Sequence, residues 1–141
     1  MVRTSNSSSV AEQTKLVIQN SHGEKLVGIF HETGSPELVI ICHGFRSSKN
    51  RIPMVNLAAA FEKEGISAFR FDFSGNGESE GTFQYGNYRR EADDLRAVVK
   101  HFREEKRCVV AIIGHSKGVL DTSLQTDHFF FFFYCCFFPG S

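Results

Sequence analysis

The sequence predicts an α/β fold, a three-layer sheet with helices on both faces. Three observations lead there. Short apolar runs alternate with segments whose apolar residues recur at helical spacing. One run, Leu38-Val39-Ile40-Ile41-Cys42, is continuously apolar, as a strand covered on both faces must be. The element order reads β-β-β-α-β-α-β, which after an opening hairpin calls for parallel strands joined by helical crossovers.

Each element has its own justification. Residues 1–14 are Ser-rich and are expected to form a disordered N-terminal arm; as a transit peptide, the alternative, the segment is short. Leu16-Val17-Ile18 and Leu26-Val27-Gly28-Ile29-Phe30 flank the turn formers Asn20-Ser21-His22-Gly23-Glu24, which predicts a hairpin. The third strand, Leu38 to Cys42, follows Gly34-Ser35-Pro36. Pro53 suits a first helical turn; Met54, Leu57, Ala58 and Phe61 then share one face, and Gly65 ends the helix. Ser67-Ala68-Phe69-Arg70-Phe71 is a fourth strand, after which Asp72-Phe73-Ser74-Gly75-Asn76-Gly77-Glu78-Ser79 turns away. Ala92, Leu95, Val99 and Phe102 mark a second helix, and Cys108-Val109-Val110-Ala111-Ile112-Ile113 a fifth strand.

Composition narrows the function classes. Sixteen basic residues balance sixteen acidic ones among 141, so no electrostatic argument favours nucleic acid or an anionic membrane surface as partner. No charged start with an apolar core and small-residue cleavage site opens the chain, which makes the cytoplasm the default compartment and predicts that the four cysteines are reduced thiols. The one low-complexity segment, Phe129 to Phe138, is uncharged but only half of the roughly 20 residues a membrane helix needs.

Directly after the fifth strand stands Gly114-His115-Ser116-Lys117-Gly118. A serine at the centre of G-x-S-x-G can occupy a sharp strand-to-helix turn that lifts its hydroxyl out at the strand's carboxyl end, provided strand and helix both hold the turn. The strand is credible here, whereas Val119 to Asp127 is poor in helix formers. The pentapeptide alone would arise by accident in such a chain on the order of one time in ten. Two further motifs add weight: His43-Gly44-Phe45 after the third strand, and the Asp72 to Ser79 loop after the fourth. All three fall at strand carboxyl ends, where open α/β sheets place ligands. A nucleotide-binding reading of the Gly75/Gly77 loop fails, because a G-x-G-x-x-G pattern would need glycine where Glu80 stands.

In this order and context the three motifs resemble the α/β-hydrolase superfamily, specifically the serine aminopeptidase-like branch that includes cinnamoyl and feruloyl esterases. The resemblance covers residues 15–118. It implies an α/β-hydrolase sheet, a small ester or acyl substrate, no metal and no cofactor. It also implies Ser116 as nucleophile, with the backbone N–H groups of Phe45 and Lys117 as the oxyanion hole, each donor worth roughly 2.7–4 kcal/mol in the transition state. His43, His115 and Asp72 are structural in this branch, and the general base is a His near the far end of the domain, oriented by a preceding Asp or Glu.

Only Asp121, Asp127 and His128 follow the nucleophile as acids and histidine. Asp127 and His128 are sequence neighbours, whereas an orienter and a base need separate loops. The chain is therefore expected to be a hydrolase sheet truncated after the nucleophile strand and inactive, since losing the base costs on the order of 10⁶ in turnover, about 8 kcal/mol. Its fifth strand is expected to present an unpaired apolar edge open to self-association or aggregation. The alternative is a non-catalytic decoy that pairs through that edge with a full-length relative. Residues 119–141 read as a non-family tail. Phe codons are all pyrimidine and Val codons begin with GU, which suggests translated intron from Val119 onward. Comparing transcript with genomic DNA is expected to place a splice donor at the Gly118/Val119 junction; a spliced coding exon spanning both residues rules this out.

Overall fold

The computed structural model describes residues 12–44, 47–84, 88–117 and 127–133, of which 116, 117 and 127–133 are described by their backbone only. The elements run β1 (Glu12–Gln19), β2 (Lys25–Glu32), β3 (Glu37–Cys42), α1 (Ile52–Lys63), β4 (Ser67–Phe71), α2 (Tyr88–Glu104), β5 (Cys108–Lys117) and β6 (Asp127–Phe133). They form one six-stranded sheet in the order β1-β2-β4-β3-β5-β6. β4, β3 and β5 are parallel neighbours, and β1, β2 and β6 join antiparallel.

The layers follow from chain handedness. From β3 the chain steps to β4 through α1 in one direction, then returns past β3 to β5 through α2 in the other. Two right-handed crossovers that step in opposite directions must place their helices on opposite faces. The core divides accordingly. Leu38, Ile40 and Cys42 of β3 pack with Phe69, Phe71, Val98, Val99 and Phe102 on the α2 side. Val39 and Ile41 pack with Met54, Ala58 and Ala68 on the α1 side, with Leu57 and Phe61 against them. Alternation with period two assigns each strand residue its face. In β5 an irregularity at Val110 breaks the count, so that Val109 and Ile112 share the α2 face although three residues apart.

Local chemistry forms the turns. Asn20 Oδ1 accepts the N–H groups of His22 and Glu24, each at 2.9 Å, and Gly23 takes φ of 78°, closing the β1–β2 hairpin. Pro53 lies in the first turn of α1, and Gly65 at φ of 77° turns the chain away from it. Gly28 has another reason to be glycine. A Cβ there would lie 2.2 Å from Cζ of the fully buried Phe69 and 2.9 Å from the Arg70 carbonyl oxygen.

Three expectations are corrected. β1 begins at Glu12, so residues 12–14 belong to the sheet and not to the N-terminal arm; pairing with β2 engages the side of their backbone that faces it, whatever their side chains. Residues 1–11 lie outside the described residues. Cys108 is disulfide-bonded, with its partner outside the described residues, because pairing depends on which segments lie side by side and not on the apolar run around the cysteine. Cys42 alone of these two is a free thiol, and burial pushes its pKa up to about 12. Finally, the β5 edge is not open. β6 pairs with it from Ala111↔Phe133 to Lys117↔Asp127, as a row of unpaired peptide groups beside an aromatic-rich segment of high β propensity favours.

Gly28→Ala is expected to destabilise the fold by about 1–3 kcal/mol in urea unfolding, because Phe69 has no room to yield. A change below about 0.5 kcal/mol would contradict that packing.

Candidate active site

The register of the parallel strands sets the site. Phe71, Cys42 and Gly114 lie in one row across β4, β3 and β5, so all three motif segments leave the sheet from the same rim. The strand order reverses direction at β3, and the crevice at such a reversal is where doubly wound sheets bind ligands.

Asp72 organises this rim. It is wholly buried, and its carboxylate accepts three bonds: Lys49 N–H on Oδ1 at 2.7 Å, and on Oδ2 the Lys49 ammonium at 2.7 Å and Glu78 N–H at 2.9 Å. Its carbonyl oxygen accepts the Ser79 hydroxyl at 2.6 Å, and that hydroxyl oxygen accepts Val27 N–H at 2.8 Å. Gly77, at φ of 51°, makes room: a Cβ there would stand 2.3 Å from Asp72 Oδ2. The Lys49 ammonium, equally buried, also reaches Glu78 Oε1 at 2.7 Å. Hydrogen bonds from Lys15 and then Lys49 bring the Glu78 carboxyl down to about 2. A buried carboxylate that holds backbone from two segments and a lysine ammonium fixes loops.

His43 is equally committed. Its Nδ1–H donates to the Gly44 carbonyl at 2.7 Å, and its Nε2 accepts Phe73 N–H at 3.1 Å, which defines a neutral ring with both nitrogens used. Burial lowers its pKa, against the pull of that carbonyl. His115 is buried on β5.

Several residues that the sequence reading passed over complete the frame. Arg70 donates from Nε to His31 Nε2 at 3.0 Å, and from one terminal nitrogen to the Lys49 carbonyl at 2.9 Å and Asn50 Oδ1 at 3.0 Å. His31 Nδ1–H in turn donates to Glu62 of α1 at 2.8 Å. Asp94 of α2 accepts Asn20 Nδ2 and Ser74 N–H, each at 2.8 Å, tying the hairpin turn to the glycine-rich loop. The sequence held one signal for this frame. A charged Arg70 inside an otherwise apolar strand must be buried beside partners.

Ser116 and Lys117 do not form the expected turn. β5 continues in extended conformation through both, three residues beyond the row that ends β3 and β4, and pairs Ser116 with His128 and Lys117 with Asp127. A Cβ on Gly114 would meet nothing within 4 Å, so the close approach that an elbow demands of this glycine is not made. The physical reason is the missing support: a strained turn persists only where a helix follows, and among the described residues the next element is β6. Phe45, the other expected donor, lies outside the described residues. The β6 register brings His128 to the position opposite Ser116, which the sequence reading did not foresee. Asp127, its chain neighbour, pairs with Lys117.

The profile of the family described as serine aminopeptidase, S33, matches residues 35–124. The chain belongs to this family. Among solved structures, this S33 chain is similar to the esterase Pf2001 of Pyrococcus furiosus, with 31% identity and a TM-score of 0.67 over 74% of this chain and 42% of the esterase. An alpha-beta serine hydrolase homologue from Coxiella burnetii is 26% identical over 65% of this chain and 46% of its own, with a TM-score of 0.58. Est1E of Butyrivibrio proteoclasticus, solved with ferulic acid, shares the fold at 22% identity, with a TM-score of 0.62 over 73% of this chain and 42% of its own. No curated protein matches the chain. The S33 chain thus spans less than half the length of each of these three structures. Among the described residues, no helix is long and apolar enough to cross a membrane.

Two buried histidines of the S33 chain make its stability depend on pH. Burial lowers the pKa of His31 from its ordinary 6.5, against the hydrogen bond to Glu62, and lowers that of His43 likewise. A histidine depressed in the folded state stays neutral while its unfolded counterpart takes up protons. The stability it contributes is therefore complete above pH 6.5 and is lost as pH falls through that value toward the lowered folded one. Urea midpoints measured from about pH 7.5 to about 5 are expected to fall, and to fall less in His31→Gln. A midpoint that holds or rises over this range contradicts the assignment.

Proposed function

We propose that this chain carries the nucleophile and oxyanion half of a serine hydrolase acting on carboxylic esters or related acyl substrates. Ser116 is the attacking residue, and the backbone N–H groups of Phe45 and Lys117 are the donors that meet the developing oxyanion. One observation carries the reading: the row Phe71–Cys42–Gly114 brings three separate sequence motifs to a single rim at the reversal of strand order. Family membership and the likeness to an esterase support it. The proposed substrate is small and uses no metal or other cofactor, and the proposed compartment is the cytoplasm.

The chain by itself does not turn over. His43 has both ring nitrogens occupied and Asp72 is buried in its pair with Lys49, so neither relieves Ser116 of its proton. Ser116 also lies in an extended strand, where the turn that would present its hydroxyl is not formed. The competing role, a non-catalytic fragment that pairs with a relative through its sheet, draws less support, because β6 occupies the free side of β5.

Incubation of the purified chain with a fluorophosphonate probe is expected to leave Ser116 unmodified. Labelling that disappears in Ser116→Ala would overturn the inactivity, and its further loss in His128→Gln would assign the base to β6. The nucleophile itself is tested by a chimera in which residues 15–118 replace the matching part of the Pyrococcus furiosus esterase. That protein is expected to hydrolyse an aryl acetate, with a loss on the order of 10⁶ in Ser116→Ala. A folded chimera whose activity survives Ser116→Ala excludes the assignment.

A further inference from the structure

Between β3 and α1 the chain passes through residues 43–51, the connection from which Phe45 would offer its amide. A backbone donor stabilises an oxyanion only if it is held in place before the reaction, and loops are ordinarily the least constrained part of a fold. The described ends of this connection are held by directed contacts to β4, to the residues just after it and to the glycine-rich loop.

At the near end, Phe73 N–H donates to His43 Nε2 at 3.1 Å. At the far end, four bonds to Asp72 and Arg70 converge on Lys49 and Asn50. Asp72 Oδ1 accepts Lys49 N–H and Asp72 Oδ2 accepts the Lys49 ammonium, both at 2.7 Å. Arg70 grips the Lys49 carbonyl at 2.9 Å and Asn50 Oδ1 at 3.0 Å. Lys49 is 1% exposed and Asp72 is 0% exposed, so this is an ion pair inside the protein and not a surface bridge. Apolar residues of similar volume would fill such a place at least as stably, since two desolvated charges rarely recover more than they lose. What an ion pair with fixed hydrogen-bond directions supplies, and an apolar contact does not, is position.

We propose that Lys49 and Asp72 are positioning residues, which with Arg70 clamp the α1 end of the β3–α1 connection, residues 47–51, onto the rim to which the proposed oxyanion donor belongs. The proposal rests on the hydrolase reading above. Lys49 acts from both its backbone and its ammonium, and the link from that ammonium to Glu78 extends the clamp to the glycine-rich loop.

The test is amide hydrogen exchange on the full chain, read segment by segment. Lys49→Met keeps the aliphatic stem and removes the charge. It is expected to speed exchange in segments 43–51 and 72–79 by about tenfold or more, while β2 and α2 stay within about twofold. Lys49→Arg, which restores donors to the carboxylates, is expected to recover most of that protection. Asn50→Ala, at an exposed position, removes one Arg70 contact without leaving a buried charge, and is expected to loosen only the segment around residue 50 by a few-fold. Three results would each overturn the clamp: unchanged protection in 43–51 with Lys49→Met, equal loss in β2 and α2, or no recovery with Lys49→Arg. If Lys49→Met does not fold, the Asn50→Ala segment decides alone, and unaltered exchange there sinks the proposal. Exchange is read without substrate, so its failure leaves the assignment of Ser116 standing, and failure of that assignment leaves the clamp measurable.

Discussion

The contact on which the rim depends is the buried pair between the Lys49 ammonium and the Asp72 carboxylate. Asp72 follows β4 directly, and its carboxylate binds backbone from both the β3–α1 connection and the glycine-rich loop. Removing either partner would leave an uncompensated charge in the interior, a loss typically of about 3–5 kcal/mol, so neither segment can shift alone. Gly77 follows from the same constraint, because the carboxylate occupies the space where any other residue would carry its Cβ. The apolar layers above and below the sheet explain why the strands assemble, whereas this polar cluster ties the α1 end of the β3–α1 connection to the glycine-rich loop.

A second frame stands behind the first. Glu62 of α1, His31 of β2 and Arg70 of β4 form a line of hydrogen bonds that ends on the Lys49 carbonyl. Arg70 is therefore held at one end by a neutral imidazole and at the other by the connection it steadies. The line also couples the packing of α1 to the far end of the β3–α1 connection, and makes the protonation of His31 a matter for the whole rim.

The fate of β5 shows two demands in competition. The G-x-S-x-G pentapeptide favours a tight turn, but such a turn stores strain that a following helix must offset. An apolar strand with one side unpaired favours any neighbour that completes its ladder. In this chain the second demand prevails. β6 pairs along β5 to Lys117, and the backbone at Ser116 stays extended.

The sequence by itself determined the layer architecture, the element order through β5 and the identity of the three motifs. These rest on local periodicity: Leu38 to Cys42 reads as a covered strand, and Met54, Leu57, Ala58 and Phe61 as one helix face, because side-chain spacing repeats the geometry of the element. The partners of Lys49, Arg70, His31 and Asp94 were not legible there, nor was β6, nor the disulfide at Cys108. Lys49 and Asp72 are 23 residues apart, and His31 and Arg70 are 39 apart. Only the crossovers that place β2, β4 and β3 side by side bring such groups together, and an ion pair has no period for a sequence to display. Whether Ser116 stands in a turn or a strand was likewise settled by what lies beside β5 in space, since the same pentapeptide is compatible with either.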